Sequence, residues 1–328
     1  MDAERLIEAV RQFGAKRVLV LGDVMLDVYD FCSTADSKAI ESEMPGKRAY
    51  RAHKSIQVLG GAGNVAANLA ALDARTSLIG VTGDDGHHVT LQRIAQRHGI
   101  AHCLIRDHTR PTTVKTRLYV DDTYLLRRDD EVADEVNRDV VRTIQVEFLE
   151  QLPECDAVVL SDYDKGFFTR TGARQIVDAC IEQDVPVVVD FKPPNASYFA
   201  NASLIAPNEA EADILQPGFA GSADLEEKMG RLHEQLGCRH TAVTLGERGL
   251  CGTNGETFFH VGGRRVAVVD SVGCGDTVRA ALALGMVSGL SVEDSAVLAN
   301  FAASTIIRKR ATATLSADEV IAEIAAER

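Results

Sequence analysis

Short apolar segments alternate with helical segments along this chain, and this alternation restricts its fold more than any other feature. The segments 3–13, 170–183 and 225–236 are predicted helices, and the first of them shows apolar residues at helical spacing. The apolar segments show no alternation with polar residues, which is typical of strands buried on both faces of a parallel sheet. These predicted strands lie at 17–22, 157–160, 185–190, 203–206 and 241–244. The sequence therefore predicts an α/β fold with a mostly parallel central sheet.

Two segments break this pattern. Residues 31–57 are polar and charged with few helix signals, whereas residues 113–128 mix β-forming residues with charges in near-alternation. Val114, Thr116 and Leu118 recur at every second position, as in strands with one exposed face. We therefore expect half-exposed strands in this part of the chain.

The length and composition indicate a folded chain with a large core. The chain has 328 residues, of which 45% are hydrophobic, and 35 basic and 48 acidic residues give it a formal charge of −13. This composition excludes disordered and fibrous proteins. The basic residues are scattered and do not form the basic face that nucleic-acid binding requires, so we expect no nucleic-acid partner.

The cysteines and the N-terminus indicate a cytoplasmic protein. Seven cysteines form no C-x-x-C pair, and their odd number argues against a disulfide framework, so we expect reduced and mostly buried thiols. The N-terminus has no positive leader followed by an apolar core, and no apolar stretch approaches the length of a membrane span. We therefore predict a cytoplasmic location and no membrane partner.

Residues 270–277, Asp-Ser-Val-Gly-Cys-Gly-Asp-Thr, precede an apolar helix predicted at 278–290. The free amides and the dipole of a helix start favour a phosphate, and the two glycines let the backbone approach it closely. Asp276 would lie beside that phosphate, where its carboxylate can take a proton from an attacking hydroxyl. The anion hole of this predicted catalytic site would consist of Gly273, Cys274 and Gly275. The alternative is a plain glycine turn in which Asp276 caps the helix.

A second glycine-rich segment, Gly-Gly-Ala-Gly-Asn at 60–64, leads into a helix of small residues predicted at 65–72. Three further motifs accompany these two: Gly-Asp-Val-Met-Leu-Asp at 22–27, N-x-x-E at 208–211 and T-x-G-x-x-G at 244–249. In this order, the five motifs resemble those of the ribokinase (PfkB) family of sugar kinases. The resemblance extends over almost the whole chain.

The resemblance implies a single kinase domain over residues 1–328 with a ribokinase-like three-layer α/β/α fold. In that family a small β-sheet forms a lid over the sugar, which here would be built from residues 28–58 and 110–130. The resemblance further implies ATP and Mg²⁺ as cofactors, with a monovalent cation as a further candidate. It implies a small-molecule sugar phosphate as the substrate and a homodimer as the assembly.

Sugar binding is assigned by resemblance to the first two motifs. Asp27 lies just past the end of the first predicted strand, where open α/β sheets form ligand crevices, and would hydrogen-bond sugar hydroxyls. Asn64 would bind the sugar beside Gly60 and Gly61. Position alone allows other roles, because Asp27 can start a turn and Asn64 can cap the helix that follows it.

Metal and nucleotide binding are assigned to the later motifs. Asn208 and Glu211 would share one face of a first helical turn and hold waters on Mg²⁺, although the same spacing is typical of a capping box. The residues that the resemblance assigns to ATP are Lys192, Asn208, Thr244, Gly246 and Gly249. A plain β-turn is the alternative for the last three, and a solvated surface role is the alternative for the lysine.

Within the family, the chain is similar to kinases of D-glycero-β-D-manno-heptose 7-phosphate, which share the segments 22–27, 111–115 and 160–166. This similarity makes that sugar phosphate the favoured substrate, with its anomeric hydroxyl as the acceptor. Lys115 and Arg117 would then contact the substrate phosphate. Other cations that could add local positive charge are Arg127, Arg128 and Lys165.

The chain departs from the heptose kinases at residues 38–45, at 190–193, at Cys274 and at Ala311, and it has no H-x-G-H motif of a nucleotidyltransferase domain. The alternatives are therefore a kinase for another sugar or sugar phosphate and, in a different class, a ribokinase-like binding protein without catalysis. P-loop kinases are excluded because the chain has no G-x-x-x-x-G-K-[ST] motif. Hydrolases have no supporting motif.

Cys274 has two interpretations. The dipole at a helix start and nearby cations favour a thiolate, which mild alkylation would modify with loss of activity. Alternatively, the side chain is a small buried hydrophobic group in the place of an alanine.

Overall fold

The computed structural model describes residues 2–37, 48–269, 271–309 and 313–327. Three features singled out in the sequence fall outside these ranges, namely Asp270, the departure at 38–45 and Ala311. The first expected lid segment, at 28–58, is described on both sides of residues 38–47.

In the described ranges the strands are β1 (Arg17–Gly22), β2 (Val24–Cys32), β3 (Ala52–Gly61), β4 (Arg75–Gly83), β5 (Ala101–Asp107), β6 (Thr113–Val120), β7 (Thr123–Asp130), β8 (Ala157–Ser161), β9 (Val187–Asp190), β10 (Leu204–Ile205), β11 (Thr241–Thr244), β12 (Leu250–Thr253) and β13 (Phe258–Val261). The α-helices are α1 (Ala3–Arg11), α2 (Thr34–Ser37), α3 (Ala62–Ala71), α4 (Gly86–Arg97), α5 (Arg138–Gln151), α6 (Arg170–Glu182), α7 (Glu209–Leu215), α8 (Leu225–Leu236), α9 (Cys274–Val287), α10 (Val292–Ile306) and α11 (Ala317–Ala325). Within these ranges no helix has the length and apolar character needed to cross a membrane.

Nine strands form a central sheet in the order β13-β12-β11-β10-β9-β8-β1-β4-β5. The strands from β11 to β5 are parallel, whereas β12 and β13 pair antiparallel at one edge. The prediction of a mostly parallel sheet is therefore confirmed. The strand predicted at 185–190 begins only at Val187, because Pro186 has no amide hydrogen and offers only its carbonyl, which accepts from the Val158 amide.

Helices cover both faces of the central sheet, because its strands carry apolar side chains on both faces. Val18 and Val20 of β1 pack into one core with α1, α3, α4, α9, α10 and α11. Leu19 and Leu21 pack into a second core with α5, α6, α7 and α8. Each such side chain contributes about 1.5–3 kcal/mol when it is fully buried. The result is the expected three-layer α/β/α arrangement.

The remaining four strands form a lid sheet in the order β3-β2-β6-β7. The chain enters this sheet directly from the central one, because only Asp23 separates β1 from β2. Asp27 follows the end of β1, as the sequence predicts, but the chain continues there as a second strand, β2, in which Asp27 pairs with Val58 and Lys115. The alternative in which Asp27 starts a turn is therefore wrong. The apolar neighbours of Asp27 are buried and continue the strand through it. The lid sheet thus begins at Val24, before the expected residue 28.

Two predicted helices begin earlier than their apolar patterns indicate. The helices predicted at 278–290 and 65–72 have the bounds given above for α9 and α3. In both cases a glycine precedes the first turn as the N-cap, with a φ of 79° at Gly273 and 56° at Gly61. These positive values favour glycine. The glycine-rich segments therefore provide the first turns of two helices.

Helices α3 and α9 pack against each other and are joined by buried hydrogen bonds. The hydroxyl of Thr277 donates to Oδ1 of Asn68 at 2.7 Å, and Nδ2 of Asn68 donates to the carbonyl of Asn64 at 2.9 Å. Both Asn68 and Thr277 are fully buried. This link fixes the start of α9 relative to α3.

We expect Thr277→Val to lower the free energy of unfolding by about 1–3 kcal/mol, because it keeps the side-chain shape but leaves the buried Asn68 oxygen without its donor. Urea unfolding measures this change. Thr143→Val is the matched control, since the exposed Thr143 hydroxyl donates to the Asp139 carbonyl within α5. Its effect should stay within about 0.5 kcal/mol. Equal unfolding midpoints for the two variants would contradict a stabilising link between the helices.

Candidate active site

Asp276 lies in the first turn of α9 and is buried, with 5% of its surface exposed. Its Oδ2 accepts a hydrogen bond from Nδ2 of Asn64 at 2.6 Å, and its Oδ1 accepts one from the Tyr163 hydroxyl at 2.9 Å. Neither Asp276 nor Asn64 caps a helix, since Gly273 and Gly61 occupy the N-cap positions. The capping alternatives for these two residues are therefore wrong. Both oxygens of the Asp276 carboxylate therefore accept a hydrogen bond.

The environment of Asp276 favours a carboxylate of increased basicity. Burial raises the pKa of Asp276 above its ordinary value, because the ionised form loses its water. The positive charge of Arg279 opposes this shift, as do the hydrogen bonds from Asn64 and Tyr163, while Asp27 adds to it. A carboxylate with a raised pKa is a stronger general base, provided that it remains ionised.

The buried carboxylate of Asp23 positions Tyr163 by binding the backbone of the loop after β8. Asp23 accepts hydrogen bonds from three backbone amides of this loop. The donors are Tyr163 at 2.7 Å, Lys165 at 3.1 Å and Phe167 at 3.2 Å. Burial and the like charge of Asp162 raise the pKa of Asp23 to about 6. Asp23 thereby fixes the loop in which Tyr163 lies within hydrogen-bond distance of Asp276.

A cavity of about 200 Å³ lies beside Asp276 and is lined by α9 together with all four lid strands. Five of the six residues predicted for substrate binding line it: Asp27, Gly61, Asn64, Lys115 and Arg117. The sixth, Gly60, lies behind Asp27, and a Cβ at this glycine would come within 2.8 Å of the Asp27 carboxylate. The structure therefore brings together residues that are distant in the sequence. We call this space the acceptor cavity.

The cations of the acceptor cavity are paired with carboxylates. The ion pairs are Arg117–Asp27 at 2.9 Å, Lys115–Glu131 at 3.3 Å, Lys115–Asp129 at 3.5 Å and Arg127–Asp129 at 2.8 Å. Lys165 is not in the described wall of this cavity, but its Nζ lies 2.7 Å from Glu131, the carboxylate that also pairs with Lys115. A phosphate that entered this cavity would have to compete with a carboxylate for each of these cations.

The start of α9 also borders a larger cavity of about 720 Å³, which we call the second cavity. Ser271 and Cys274 line this second cavity, whereas Gly273 and Asp276 line the acceptor cavity. The N-terminus of α9 therefore lies between the two. Three arginines also line the second cavity: Arg248, Arg264 and Arg265.

The predicted nucleotide loop at 244–249 connects β11 to β12 beside the second cavity. Among the residues that the structure describes, Gly246 is the one predicted ATP contact in the cavity wall. Gly249 has a φ of 89°, and a Cβ there would lie 2.0 Å from the Val261 carbonyl oxygen, so this position requires glycine. Thr244 forms an isolated β-bridge with Asn208, which places the two motifs side by side.

Asn208 and Glu211 form a capping box at the start of α7, as the alternative interpretation predicts. Oδ1 of Asn208 accepts from the Glu211 amide at 2.9 Å, and Oε2 of Glu211 accepts from the Asn208 amide at 3.0 Å. Oε1 of Glu211 lies 2.6 Å from Nζ of Lys192. Both carboxylate oxygens of Glu211 are thus engaged. In the described part of the chain, no group of three or more His, Cys, Asp or Glu side chains could hold a metal ion.

Burial favours the neutral form of the Cys274 thiol. Burial raises its pKa to about 11, against the opposing charge of Arg279. The thiolate interpretation is therefore wrong, because a helix dipole contributes only about 0.3–1 kcal/mol, which is less than one pKa unit. The structure supports the interpretation of Cys274 as a small, mostly buried hydrophobic group.

The sequence interpretation gave no role to Tyr163, Arg279 or Asp190. Tyr163 lies within the segment 160–166, whose similarity to the heptose kinases was a signal for it. Arg279 is a charge inside an otherwise apolar helix, and its Nη2 lies 2.7 Å from Oδ1 of Asp190. Buried ionisable groups beside a cleft are candidates for a functional role.

Comparisons with known proteins identify the family. Residues 15–319 match the model of the pfkB family carbohydrate kinases. Curated relatives include Bifunctional protein HldE from Caulobacter sp. (strain K31), 36% identical over 323 residues, and from Desulfatibacillum aliphaticivorans, 34% identical over 318 residues. The alignments cover 97% and 96% of this chain, respectively. The chain spans 64% of the length of each of these relatives.

Solved structures share the fold. Phosphofructokinase-2 from Escherichia coli, solved in complex with potassium, superposes with a TM-score of 0.77 at 18% identity over 95% of this chain and 99% of that one. A carbohydrate kinase from Agrobacterium tumefaciens gives a TM-score of 0.72 at 20% identity over 94% and 97% of the two chains. These likenesses confirm the ribokinase-like α/β fold. Given the family match along most of its length, the chain belongs to the pfkB family of carbohydrate kinases and is a phosphotransferase with an alcohol group as acceptor.

Proposed function

We propose that this kinase transfers the γ-phosphoryl group of ATP to the anomeric hydroxyl of D-glycero-D-manno-heptose 7-phosphate. The observation that carries the proposal is the position of the α9 N-terminus between two cavities, with Asp276 in the wall of the smaller one. The acceptor cavity would take the sugar phosphate, and the second cavity would take ATP. The phosphoryl group would then be transferred from the second cavity to the acceptor cavity at the N-terminus of α9, where the helix dipole and the first amides favour negative charge.

Asp276 would act as the general base toward the acceptor hydroxyl. Asn64 and Tyr163 hold its two oxygens, so the carboxylate is oriented before the substrate arrives. Burial and the neighbouring Asp276 raise the pKa of Tyr163 well above its ordinary value, so the phenol remains a hydrogen-bond donor. The acceptor hydroxyl would share Asp276 with these two donors and pass its proton to the carboxylate as it attacks.

The backbone at residues 273–275 would stabilise the negative charge of the transferred group. The first amides of a helix have no acceptor within the helix, and those of α9 lie at the border of both cavities. The Cys274 amide donates to the Ser271 carbonyl at 3.2 Å, a bond that a phosphoryl oxygen would replace. Donors that are fixed before the reaction need no rearrangement as charge develops on the phosphoryl oxygens. This part of the proposal assigns the anion hole to Gly273, Cys274 and Gly275.

Membership of the family implies ATP as the phosphoryl donor and Mg²⁺ as its companion ion. Mg²⁺ prefers oxygen ligands and keeps several of its waters. Asn208 and Glu211 offer such oxygens, but both oxygens of Glu211 are engaged by Lys192 and the Asn208 amide. Asn208 and Glu211 would therefore contact Mg²⁺ through its bound waters. When bound, Mg²⁺ neutralises charge on the phosphates.

Three further proposals rest on the family resemblance: a monovalent cation requirement, a homodimer and a cytoplasmic location. Phosphofructokinase-2 from Escherichia coli was solved in complex with potassium and also as a tetrameric inhibited form. A relative of this fold can thus bind a monovalent cation and assemble into oligomers.

The identity of the acceptor rests on similarity and on the charge of the acceptor cavity. The curated relatives named HldE and the segments 22–27, 111–115 and 160–166 favour a heptose phosphate. Lys115 and Arg117, the phosphate contacts that the resemblance implies, line the cavity wall together with Arg127, and all three cations suit a phosphate group. A kinase for an unphosphorylated sugar is the second candidate. It is favoured by the carboxylate partners that these cations already have.

We expect Asp276→Asn to reduce turnover by about 10²-fold or more at saturating substrates, because the amide keeps the size but cannot accept the proton. The affinity for ATP should change little. Steady-state kinetics and a nucleotide-binding titration measure the two effects. Asp294→Asn, at a partly exposed carboxylate in the first turn of α10, is the control. Turnover above about a tenth of the wild-type value in Asp276→Asn would reject the assignment of the base.

A panel of sugars and sugar phosphates tests the acceptor, and Arg127→Ala tests the phosphate contact. This variant should lower kcat/KM for the phosphorylated acceptor by at least about tenfold, because a charge-assisted hydrogen bond is lost. The KM for ATP should not change. Arg128→Ala is the matched control, because Arg128 pairs with Asp130 and is not in the described cavity wall. Equal use of neutral sugars and their phosphates would favour the second candidate.

Cys274→Ala should keep close to wild-type turnover, because the mechanism needs the backbone at this position and no thiolate. At neutral pH, alkylation of Cys274 by iodoacetamide should be slow, since the neutral thiol is a poor nucleophile. Mass spectrometry of the alkylated peptides measures the rate, with the other cysteines as internal references. Faster modification of Cys274 than of the others, with loss of activity and protection by ATP, would restore the thiolate interpretation.

A further inference from the structure

Arg279 is a buried cation next to the proposed base. It lies three positions after Asp276 on α9, so the two side chains share a face of the helix. Only 6% of its surface is exposed, and its Nε has no hydrogen-bond partner among the described residues. Burial of a charged group is costly unless the charge is compensated. The position of this arginine therefore requires an explanation.

The guanidinium of Arg279 reaches from the central sheet to the proposed anion hole. At one end, its Nη2 lies 2.7 Å from Oδ1 of Asp190, at the end of β9, and donates to the Ala206 carbonyl at 3.3 Å, just after β10. At the other end, Nη1 would lie 2.2 Å from a Cβ built on Gly275. The guanidinium thus packs against the backbone at 275, and glycine is the residue that leaves room for it.

We propose that Arg279, anchored by Asp190, is a positioning residue that supports the backbone of the anion hole and supplies the positive charge that keeps Asp276 ionised. This inference rests on the proposed role of Asp276 as the base. It assigns to the Arg279–Asp190 pair an electrostatic function beyond its contribution to the fold. Arg279 acts through Asp276 and the backbone and need not touch the substrate.

Charged groups face Asp276 from several surrounding elements. They are Asp27 on β2, Tyr163 after β8, Asp190 on β9 and Arg279 on α9, with the neutral Asn64 on α3 and the Lys192–Glu211 ion pair next to Asp190. Burial and Asp27 raise the pKa of Asp276, and Arg279 is the cation that lowers it. Asp190 and Asp276 also repel each other. The two members of the ion pair therefore act on Asp276 with opposite sign.

Because the two charges act on Asp276 with opposite sign, they can be tested separately through the pH dependence of turnover. We call the fall in turnover toward low pH the acidic limb of this profile. Arg279→Gln removes the cation, so Asp276 becomes harder to ionise and the acidic limb should move to higher pH by about 1–3 units. Burial raises the pKa of Asp190, and the charge of Arg279, with its Nη2 2.7 Å from Oδ1, opposes this shift and favours the ionised carboxylate. Asp190→Asn removes this negative neighbour of Asp276 and leaves Arg279 charged, so the limb should move to lower pH. Arg279→Lys keeps the charge and should leave the limb close to its wild-type position.

A purely structural pair would behave differently. Both Arg279→Gln and Asp190→Asn would then lower the thermal unfolding temperature and leave the acidic limb in place, and this result would overturn the inference. If Arg279→Gln does not fold, Asp190→Asn and Arg279→Lys still decide, because an unchanged or raised limb in Asp190→Asn overturns it equally. A direct readout is the carboxyl ¹³C resonance of Asp276, identified by its loss in Asp276→Asn and titrated in each variant.

The same set of variants separates failure of this inference from failure of the proposed base. If Asp276→Asn retains turnover, the assignment of the base fails and the limb reports another group. If Asp276→Asn loses turnover but the limb and the carbon resonance are the same in the wild type, Arg279→Gln and Asp190→Asn, only the role of Arg279 fails. If the acidic limb shifts in opposite directions in Arg279→Gln and Asp190→Asn, the result supports both the assignment of Asp276 as the base and the role of Arg279.

Discussion

The hydrogen bond between Asn64 and Asp276 is the interaction on which the rest of the site depends. It joins the first turns of α3 and α9, two helices that begin at glycines with positive φ. At the start of α3 the glycine is required, because a Cβ at Gly61 would lie 2.3 Å from the Asp23 carbonyl oxygen. Because α3 also follows the lid strand β3, this one bond ties the lid, the helix layer and the base together.

Burial of several carboxylates in one region is the main cost of this arrangement. Asp23, Asp190 and Asp276 are all nearly inaccessible to solvent, and burial raises the pKa of each. Asp23 is compensated by three backbone amides, whereas Asp190 and Asp276 depend on Arg279. An uncompensated buried charge is strongly destabilising. The arginine therefore compensates buried negative charge in the fold and, in the role proposed for it, also keeps Asp276 ionised.

The sequence predicted the elements whose signals are local and missed those that depend on long-range contacts. The alternation of strands and helices, and the two glycine-rich helix starts, were visible because each lies within a short segment. Tyr163 was missed because its contact with Asp276 spans 113 residues, and the similarity of the segment 160–166 to the heptose kinases does not show which of its residues reaches Asp276. Of the two interpretations of Cys274, the thiolate fails for a related reason. Its pKa depends on burial, which a helix-dipole argument does not include.

A chain with a formal charge of −13 that binds two anions, as we propose for ATP and a sugar phosphate, must limit where its cations are available. In the acceptor cavity, Lys115 and Arg127 both pair with Asp129, so neither is an open site for a passing anion. A ligand gains only the difference between its own contacts and those of the carboxylate that it replaces. A phosphate with nearly two negative charges and three acceptor oxygens exceeds a carboxylate in both respects. The paired cations therefore favour a phosphate monoester over singly charged anions.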